Sequence, residues 1–594
     1  MKKNSPPDER QSAFVDYLGE LYEKYLPLVE GSTTDILSQL QRAAPDTFAI
    51  CAVSTAGNVH AVGDADKQFL MQSISKPFVY GMALEDRGEE YLRRRVGVEP
   101  TGSSFNSMIE HEQVCAGRFN PMVNVGAVST TSFIKGDCLE QRIERIMNMF
   151  ARYAGHPLPV DEAALCSRRA LDNMNRAIAY LMLSEGCIEG NVEETVELFA
   201  NQCSVLVDCR DLAIMAATLA NGGVHPLTGR RAVSAKHVKP ILSTMFTSGM
   251  YEFSGQWAYS VGIPAKSGLA GAIFAVVPDR MGMAVYSPLL GTHTKSVRGV
   301  RVLEDISETC HCHVFSRPDS ARLPEKTAAL LRNPDAFRSL LQEIHDTYED
   351  LYEGTIYITE PGLHYVDDYQ FGICAVTTDG AICEVGDSRE DFFIQSVSKL
   401  FTYGLALEDH GRTAVMERVD VEPTGDAYDA VIKVRTNSKR PHNPMVNAGG
   451  IAVSSLIKGD GPAKRLSRIL EMYERYTGHR VFIDAPAFIA EQSANERNWA
   501  ISYLLKNFDM IEGDIQQALD LYLQQCSAII NVGLPAKSGV SGCILGVVPG
   551  HMGIAVFSRP LDHHGNSTRG VKVFEELSRR LQLHIFHPYE SQQN

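Results

Sequence analysis

Two short stretches place a lysine three residues after a serine: Gln72-Ser73-Ile74-Ser75-Lys76 and Gln395-Ser396-Val397-Ser398-Lys399. If each stretch opens a helix, Ser73 and Lys76 lie about one turn apart on one face, as do Ser396 and Lys399. The amine then reaches the hydroxyl. A lysine that has lost its proton can activate an oxygen that is otherwise a weak nucleophile at neutral pH. The chemistry implied is attack by serine on an electrophilic carbon, with lysine as the base. Serine and lysine are also common on helix surfaces, so the spacing alone carries little. Its weight comes from the frame that repeats around it.

That frame has a fixed register. Ser396 follows Ser73, Asn447 follows Asn124 and Asn498 follows Asn175 at one constant interval. Lys537 follows Lys266 at a shorter one. The second copy has therefore lost a segment between Gln524-Gln525-Cys526-Ser527 and Val532-Gly533. The lost segment includes the counterparts of the stretches near 211–219 and 234–246 and of Gly249-Met250-Tyr251.

The elements that position these residues follow from hydrophobic periodicity. Phe14-Val15, Leu18, Leu21-Tyr22, Tyr25-Leu26 and Val29 recur at helical spacing and form a lead helix. Phe48–Val53, a turn at Ala56-Gly57-Asn58, and Val59–Val62 read as a hairpin. A helical block follows, with helices expected over Leu139–Ala154, 170–183, 193–200, 211–219 and 234–246. The pattern then returns to strands at Ala272–Val277 and 284–286, a helix over 297–310, and an extended Val314-Phe315. A second lead helix over 337–352 and a strand at 372–376 restart the series. Strands at both ends of a helical block suggest, in each copy, one antiparallel sheet flanked by helices plus a helical subdomain, an α/β (α+β) domain with the site at the seam. The expected division is a disordered N-terminus at 1–12, a first domain at 13–316, a linker at 317–330 around Arg317-Pro318 and Leu323-Pro324, and a second, internally deleted domain at 331–590.

Composition narrows the function. At 594 residues the chain is too long for one core. Its 44% hydrophobic and 22% charged content is that of an ordinary globular protein. A net charge of −16 argues against nucleic acid or anionic membrane as the partner. The polar start MKKNSPPDER lacks the apolar run of a secretory signal, and no run approaches the ~20 residues that span a bilayer. Thirteen scattered cysteines without framework spacing fit a reducing cytoplasm. Cys310-His311-Cys312-His313 has zinc-ligand residue types, but the second copy carries Leu581 and Leu583 where the first has Cys310 and Cys312. These cysteines read as small core residues, and no metal is expected.

The repeated segments resemble the glutaminases of the bacterial and mitochondrial type, which have a serine β-lactamase/penicillin-binding-protein-like fold. The resemblance rests on QSISK and QSVSK, FNPMVNVG and HNPMVNAG, GMYEFSG, GIPAKSGLAGAI and GLPAKSGVSGCI, and ERNWAISYLL, in one order over nearly the whole chain. It implies hydrolysis of L-glutamine to L-glutamate and ammonia through a γ-glutamyl-serine intermediate, without metal or cofactor. It also implies a homo-oligomer, or here an intramolecular pseudo-dimer.

Carried over by motif, Ser73 is the nucleophile, Lys76 its base and Tyr251 the tyrosine that shares proton transfer. The backbone N–H groups of Ser73 and Leu269 form an oxyanion hole, and Gln72, Asn124 and Asn175 contact substrate. Where the family has a glutamate for the α-ammonium, seven residues before the second asparagine and about two turns away on one helix face, the first copy has Arg168. Phe199 replaces a binding tyrosine, and Thr34 or Ile36 replaces another near the N-terminus. The second copy keeps Tyr357, Gln395, Ser396, Lys399, Asn447, Glu491, Asn498 and Tyr522, with Val540 at the oxyanion hole, but has no counterpart of Tyr251. The first copy thus keeps the catalytic set with an altered binding set, and the second the reverse. Two other functions suit these departures: a glutamine-binding regulatory pseudoenzyme, or an amidase in which Arg168 recruits a carboxylate. Arg168 also reads as an ordinary solvated helix residue.

Overall fold

The computed structural model describes residues 7–33, 44–101, 119–291, 293–316, 323–356, 369–425, 427–430, 439–493, 495–530 and 537–586. The chain forms two compact units. The first comprises residues 1–317 with 422–425 and 586–594, the second 318–421 with 426–585.

In the first unit, five antiparallel strands run from edge to edge in the order Val59–Gly63, Ala49–Ser54, Met281–Tyr286, Ala272–Val277 and Ala265–Ser267. Ile50 lies opposite Val285 and Cys51 opposite Ala284. First and last segments therefore share one sheet, as the strand pattern implied. Both faces are buried, and the two-residue period of a strand decides which core each side chain joins. Ala49, Cys51 and Val53 pack with Leu212, Ala213, Ala216 and Ala217 of the Cys209–Ala220 helix. Ile50 and Ala52 pack with Leu18 and Leu21 of the lead helix and with Val302, Leu303 and Ile306 of the Val297–Thr309 helix. The Cys209–Ala220 helix lies so close that a Cβ on Gly282 would meet the Ala217 nitrogen at 2.0 Å.

The second unit repeats this with four strands, in the order Cys543–Val548, Met552–Ser558, Phe371–Thr377 and Ile382–Gly386. Phe337, Leu341 and Ile344 of the Pro334–Tyr348 helix, with Val573 and Leu577 of the Thr568–Arg580 helix, cover one face. Gly553 is the second copy's counterpart of Gly282, yet among the described residues nothing comes within 4 Å of its Cβ position. The internal deletion removed the helix that packs there in the first copy.

The structure corrects several expectations. The lead helix spans Pro7–Tyr25, so residues 7–12, expected to be disordered, are helical. Glu325–Leu331, which overlaps the expected linker, is also a helix. Val314-Phe315 is not extended but lies in a turn closed by the Ser316 N–H donating to the His313 carbonyl at 3.0 Å. Cys310 and Cys312, by contrast, pack with the apolar cluster under the sheet as expected. The single helix expected over 170–183 is two helices, Glu162–Leu171 and Asn173–Ser184, broken at Asp172 (φ −82°, ψ 51°). The second copy breaks at the same point, between Ala485–Ser493 and Glu496–Asn507. Arg168 and Asn175 therefore do not share a helix face, and neither do Glu491 and Asn498. The expected linker stretch 317–322, with Thr34, Ile36 and Tyr357, lies outside the described residues.

Candidate active site

Each candidate serine sits in a one-turn 3₁₀ helix: Gln72–Ser75, running into the Lys76–Arg87 helix, and Gln395–Val397, running into Ser398–Arg418. The residue before the serine is strained in both copies. Gln72 and Gln395 have φ of 47°, a left-handed conformation that costs a non-glycine residue ~1 kcal/mol or more. Surrounding hydrogen bonds hold it. Met71 N–H donates to the Val205 carbonyl at 2.8 Å, Ile74 N–H to the Met71 carbonyl at 3.0 Å, and the Ser75 hydroxyl to the Gln72 carbonyl at 2.7 Å. Ile394 N–H and Val397 N–H bind correspondingly, to the Ala528 carbonyl at 2.9 Å and the Ile394 carbonyl at 3.1 Å.

The turn that carries Leu269 lies against this strained segment. A Cβ on Gly268 would come within 3.1 Å of the Ile74 side chain, and one on Gly539 within 3.5 Å of Val397. Both copies thus bring the predicted oxyanion donors, Ser73 with Leu269 and Ser396 with Val540, into one neighbourhood.

The lysines are buried and electrostatically unusual. Burial lowers the Lys76 and Lys399 ammonium pKa values to about 7, so a large fraction of each is a neutral amine at physiological pH. Lys266, on the neighbouring strand, is pushed well below its usual value by burial and by the nearby ammonium groups of Lys76 and Lys295. Its counterpart Lys537 is lowered to about 8 by burial.

The two copies use these lysines differently. In the second, Lys399 Nζ donates to Ser396 Oγ at 2.8 Å and to Asn447 Oδ1 at 2.7 Å. In the first, Lys76 Nζ donates to Asn124 Oδ1 at 2.7 Å and to the Met122 carbonyl at 3.1 Å. Ser73 there lies beside the buried Tyr251 hydroxyl, whose pKa burial raises and the neighbouring serine lowers. Tyr251 is itself strained, at φ 56°. Three amines surround its ring: Lys266 at 3.9 Å from the centroid, Lys295 at 5.0 Å and Lys76 at 5.5 Å.

Behind each lysine runs a chain of amides. Asn124 Nδ2 donates to Asn175 Oδ1 at 3.1 Å, and Asn447 Nδ2 to Asn498 Oδ1 at 3.0 Å. The second copy adds two contacts among its motif residues. The Tyr522 hydroxyl donates to Asn447 Oδ1 at 3.0 Å, and Gln395 Nε2 donates to Glu491 Oε1 at 2.6 Å. Phe199, at the Tyr522 position, instead packs in an apolar cluster with Val125 and Val196. Arg168 is half-buried on the side of Cys203, whose thiol it and Lys76 pull down against a larger upward push from burial.

Two groups escaped the sequence reading. Lys295 is buried, with Nζ 3.6 Å from a Glu252 carboxylate oxygen. Asp172 holds the Asn175 amide through both its oxygens, at 2.8 and 2.7 Å. The repeat register carried a signal for each, since Asn566 and Asn495 stand at the corresponding places in the second copy.

Comparison with known proteins places the chain in a family. The glutaminase family model matches residues 31–315, 354–531 and 528–586. A glutaminase from Trichormus variabilis is 50% identical over 306 residues, which are 52% of this chain and 91% of that protein. One from Corynebacterium efficiens is 33% identical over 420 residues, 70% of this chain and 94% of that protein. A solved structure described as a probable glutaminase, ybaS, is 37% identical with a TM-score of 0.50 and covers 53% of this chain and all of its own. The fold is the mixed α/β, β-lactamase-like one of these relatives. Matched over nearly its whole length, and in two successive regions, the chain belongs to the glutaminase family.

Proposed function

We propose that the protein hydrolyses L-glutamine to L-glutamate and ammonia, and that the first copy performs the chemistry. The observation that carries this is that Tyr251 stands beside Ser73 with the buried Lys76 amine 5.5 Å from its ring centroid, and burial brings that amine's pKa down to about 7. Ser73 Oγ attacks the γ-carboxamide carbon, and its proton passes to Lys76, directly or through Tyr251. The tetrahedral oxyanion lies toward the backbone N–H groups of Ser73 and Leu269. Oriented donors of this kind are each worth ~10²–10³ in rate. Collapse breaks the C–N bond, and the stored proton leaves on ammonia. Water then attacks the γ-glutamyl ester, its proton follows the same route, and Ser73 is released with L-glutamate. The protein is taken to work in the cytoplasm. No helix among the described residues is long and apolar enough to cross a membrane, and the described cysteines are free.

A second reading applies to the second copy, which we take to bind glutamine without appreciable turnover. The Gln395–Glu491 and Asn447–Asn498–Tyr522 contacts support binding, and the deleted tyrosine argues against chemistry.

The experiment is ammonia release from L-glutamine by the purified chain, with acid-quenched samples examined by mass spectrometry for a glutamyl group on the peptide containing Ser73. Absence of ammonia release would sink the enzymatic reading. Tyr251→Phe is expected to lower kcat ~10²-fold with KM within threefold, the size of a lost proton-transfer group. A change confined to KM would instead make Tyr251 a substrate contact.

A further inference from the structure

The two copies differ at two positions one helical turn apart. The second has Glu491 and Asn495 where the first, in the constant register of the repeat, has Arg168 and Asp172. Each copy therefore keeps one carboxylate, displaced by one turn. In the second it is Glu491, held by Gln395 next to Ser396. In the first it is Asp172, held on the Asn175 amide. A continuous chain of hydrogen bonds runs from that carboxylate through Asn175 and Asn124 to Lys76. The helix break at residue 172 turns this side chain toward Asn175 rather than along a helix surface.

On the reading of the first copy as a glutamine site, we propose that Asp172 binds the substrate's α-ammonium and Arg168 its α-carboxylate. L-Glutamine is an amide with a zwitterionic head, and an anion and a cation one turn apart match it. An ammonium and a carboxylate make a charge-assisted hydrogen bond, roughly twice as strong as a neutral one. A guanidinium fork suits a carboxylate. Asp172 has capacity to spare, because an ionised carboxylate accepts at about four positions. Helix capping does not account for the charge. The cap bond from Asn175 N–H to Asp172 is long, 3.4 Å, and asparagine caps a helix as well as aspartate does.

The test uses the full chain with Ser396→Ala, so that turnover reports the first copy. Two amides are compared: L-glutamine and 4-carbamoylbutanoate, which lacks the α-amino group. Asp172→Asn, the residue found in the second copy, is expected to raise KM for L-glutamine ~30-fold or more. It should leave kcat within about threefold, and KM for 4-carbamoylbutanoate within about threefold. Arg168→Met should raise KM for both amides. Arg168→Glu combined with Asp172→Asn, which recreates the second copy's arrangement, should recover most of the affinity for L-glutamine. An unchanged KM, or an equal rise for both amides, in Asp172→Asn overturns the assignment. Should Ser396→Ala release no ammonia, the catalytic reading of the first copy fails by itself, and calorimetric titration with L-glutamine still tests Asp172. Loss of one of two binding sites in Asp172→Asn supports the proposal, and unchanged number and affinity overturn it.

Discussion

Ser73→Ala is expected to lower ammonia release from L-glutamine by ~10³-fold or more, whereas Ser396→Ala should leave it within about twofold. The expectation follows from asymmetry around the serines, which themselves sit in similar one-turn helices. Ser396 has the closer lysine, Lys399 at 2.8 Å. Loss of a nucleophile removes the covalent route altogether, and the residual rate comes from binding and oriented donors alone. What distinguishes Ser73 is the buried Tyr251, which we propose as a second proton carrier where water cannot substitute freely. The second copy has no counterpart of Tyr251 in its sequence, because the internal deletion between Ser527 and Lys537 removed it. The opposite result, loss in Ser396→Ala and retention in Ser73→Ala, would move the chemistry to the second copy and show that direct contact between lysine and serine suffices.

Lys76→Met should cost activity on a similar scale and at the same time stabilise the unit that carries it. For a base, the neutral amine is the working form, so kcat/KM of the wild type should rise with pH through a midpoint near 7. The stability effect has a definite sign. In the unfolded chain the ammonium holds its proton up to about 10.5, whereas in the folded protein it gives it up near 7. Between these values the unfolded state binds more protons, so Lys76's contribution to stability improves as pH rises through that window. At pH 7 and below its burial penalty is felt most fully. Lys76→Met should therefore raise the melting temperature by several degrees at pH 7 by calorimetry, and the gain should shrink toward pH 10. An activity loss without this pH-dependent gain would mean that Lys76 is already well solvated or paired when charged. The pairing of lost function with gained stability is expected when a site holds a desolvated ionisable group.

Much of this was legible in the sequence because it depended on order and period. The helix over Leu139–Ala154 agrees with its expected bounds because its apolar residues recur at strict helical spacing and Gly155 ends it in a left-handed cap. The sheet was legible because its strands carry continuous apolar runs at both ends of the repeat. Less legible were features set by one local competition. Asp172 ends one helix and caps the next, so a run that is helical by composition becomes two helices. Val314-Phe315 has a strand's residue types but makes a turn beneath Gly262, whose carbonyl accepts from the Val314 N–H at 2.9 Å.

The sequence by itself determined that there are two copies, where the second is cut short, and which site residues each copy retains. All of that is a matter of register along the chain. Only the tertiary structure decided what those residues touch. It showed that Lys399 meets Ser396 while Lys76 turns to Asn124, that three amines gather around Tyr251, and that Asp172 stands beside Asn175. Hydrogen bonding and desolvation act over a few ångströms in space. Lys76, Asn124, Asn175 and Tyr251 lie far apart along the chain, on separate helices, and folding alone brings them within that range.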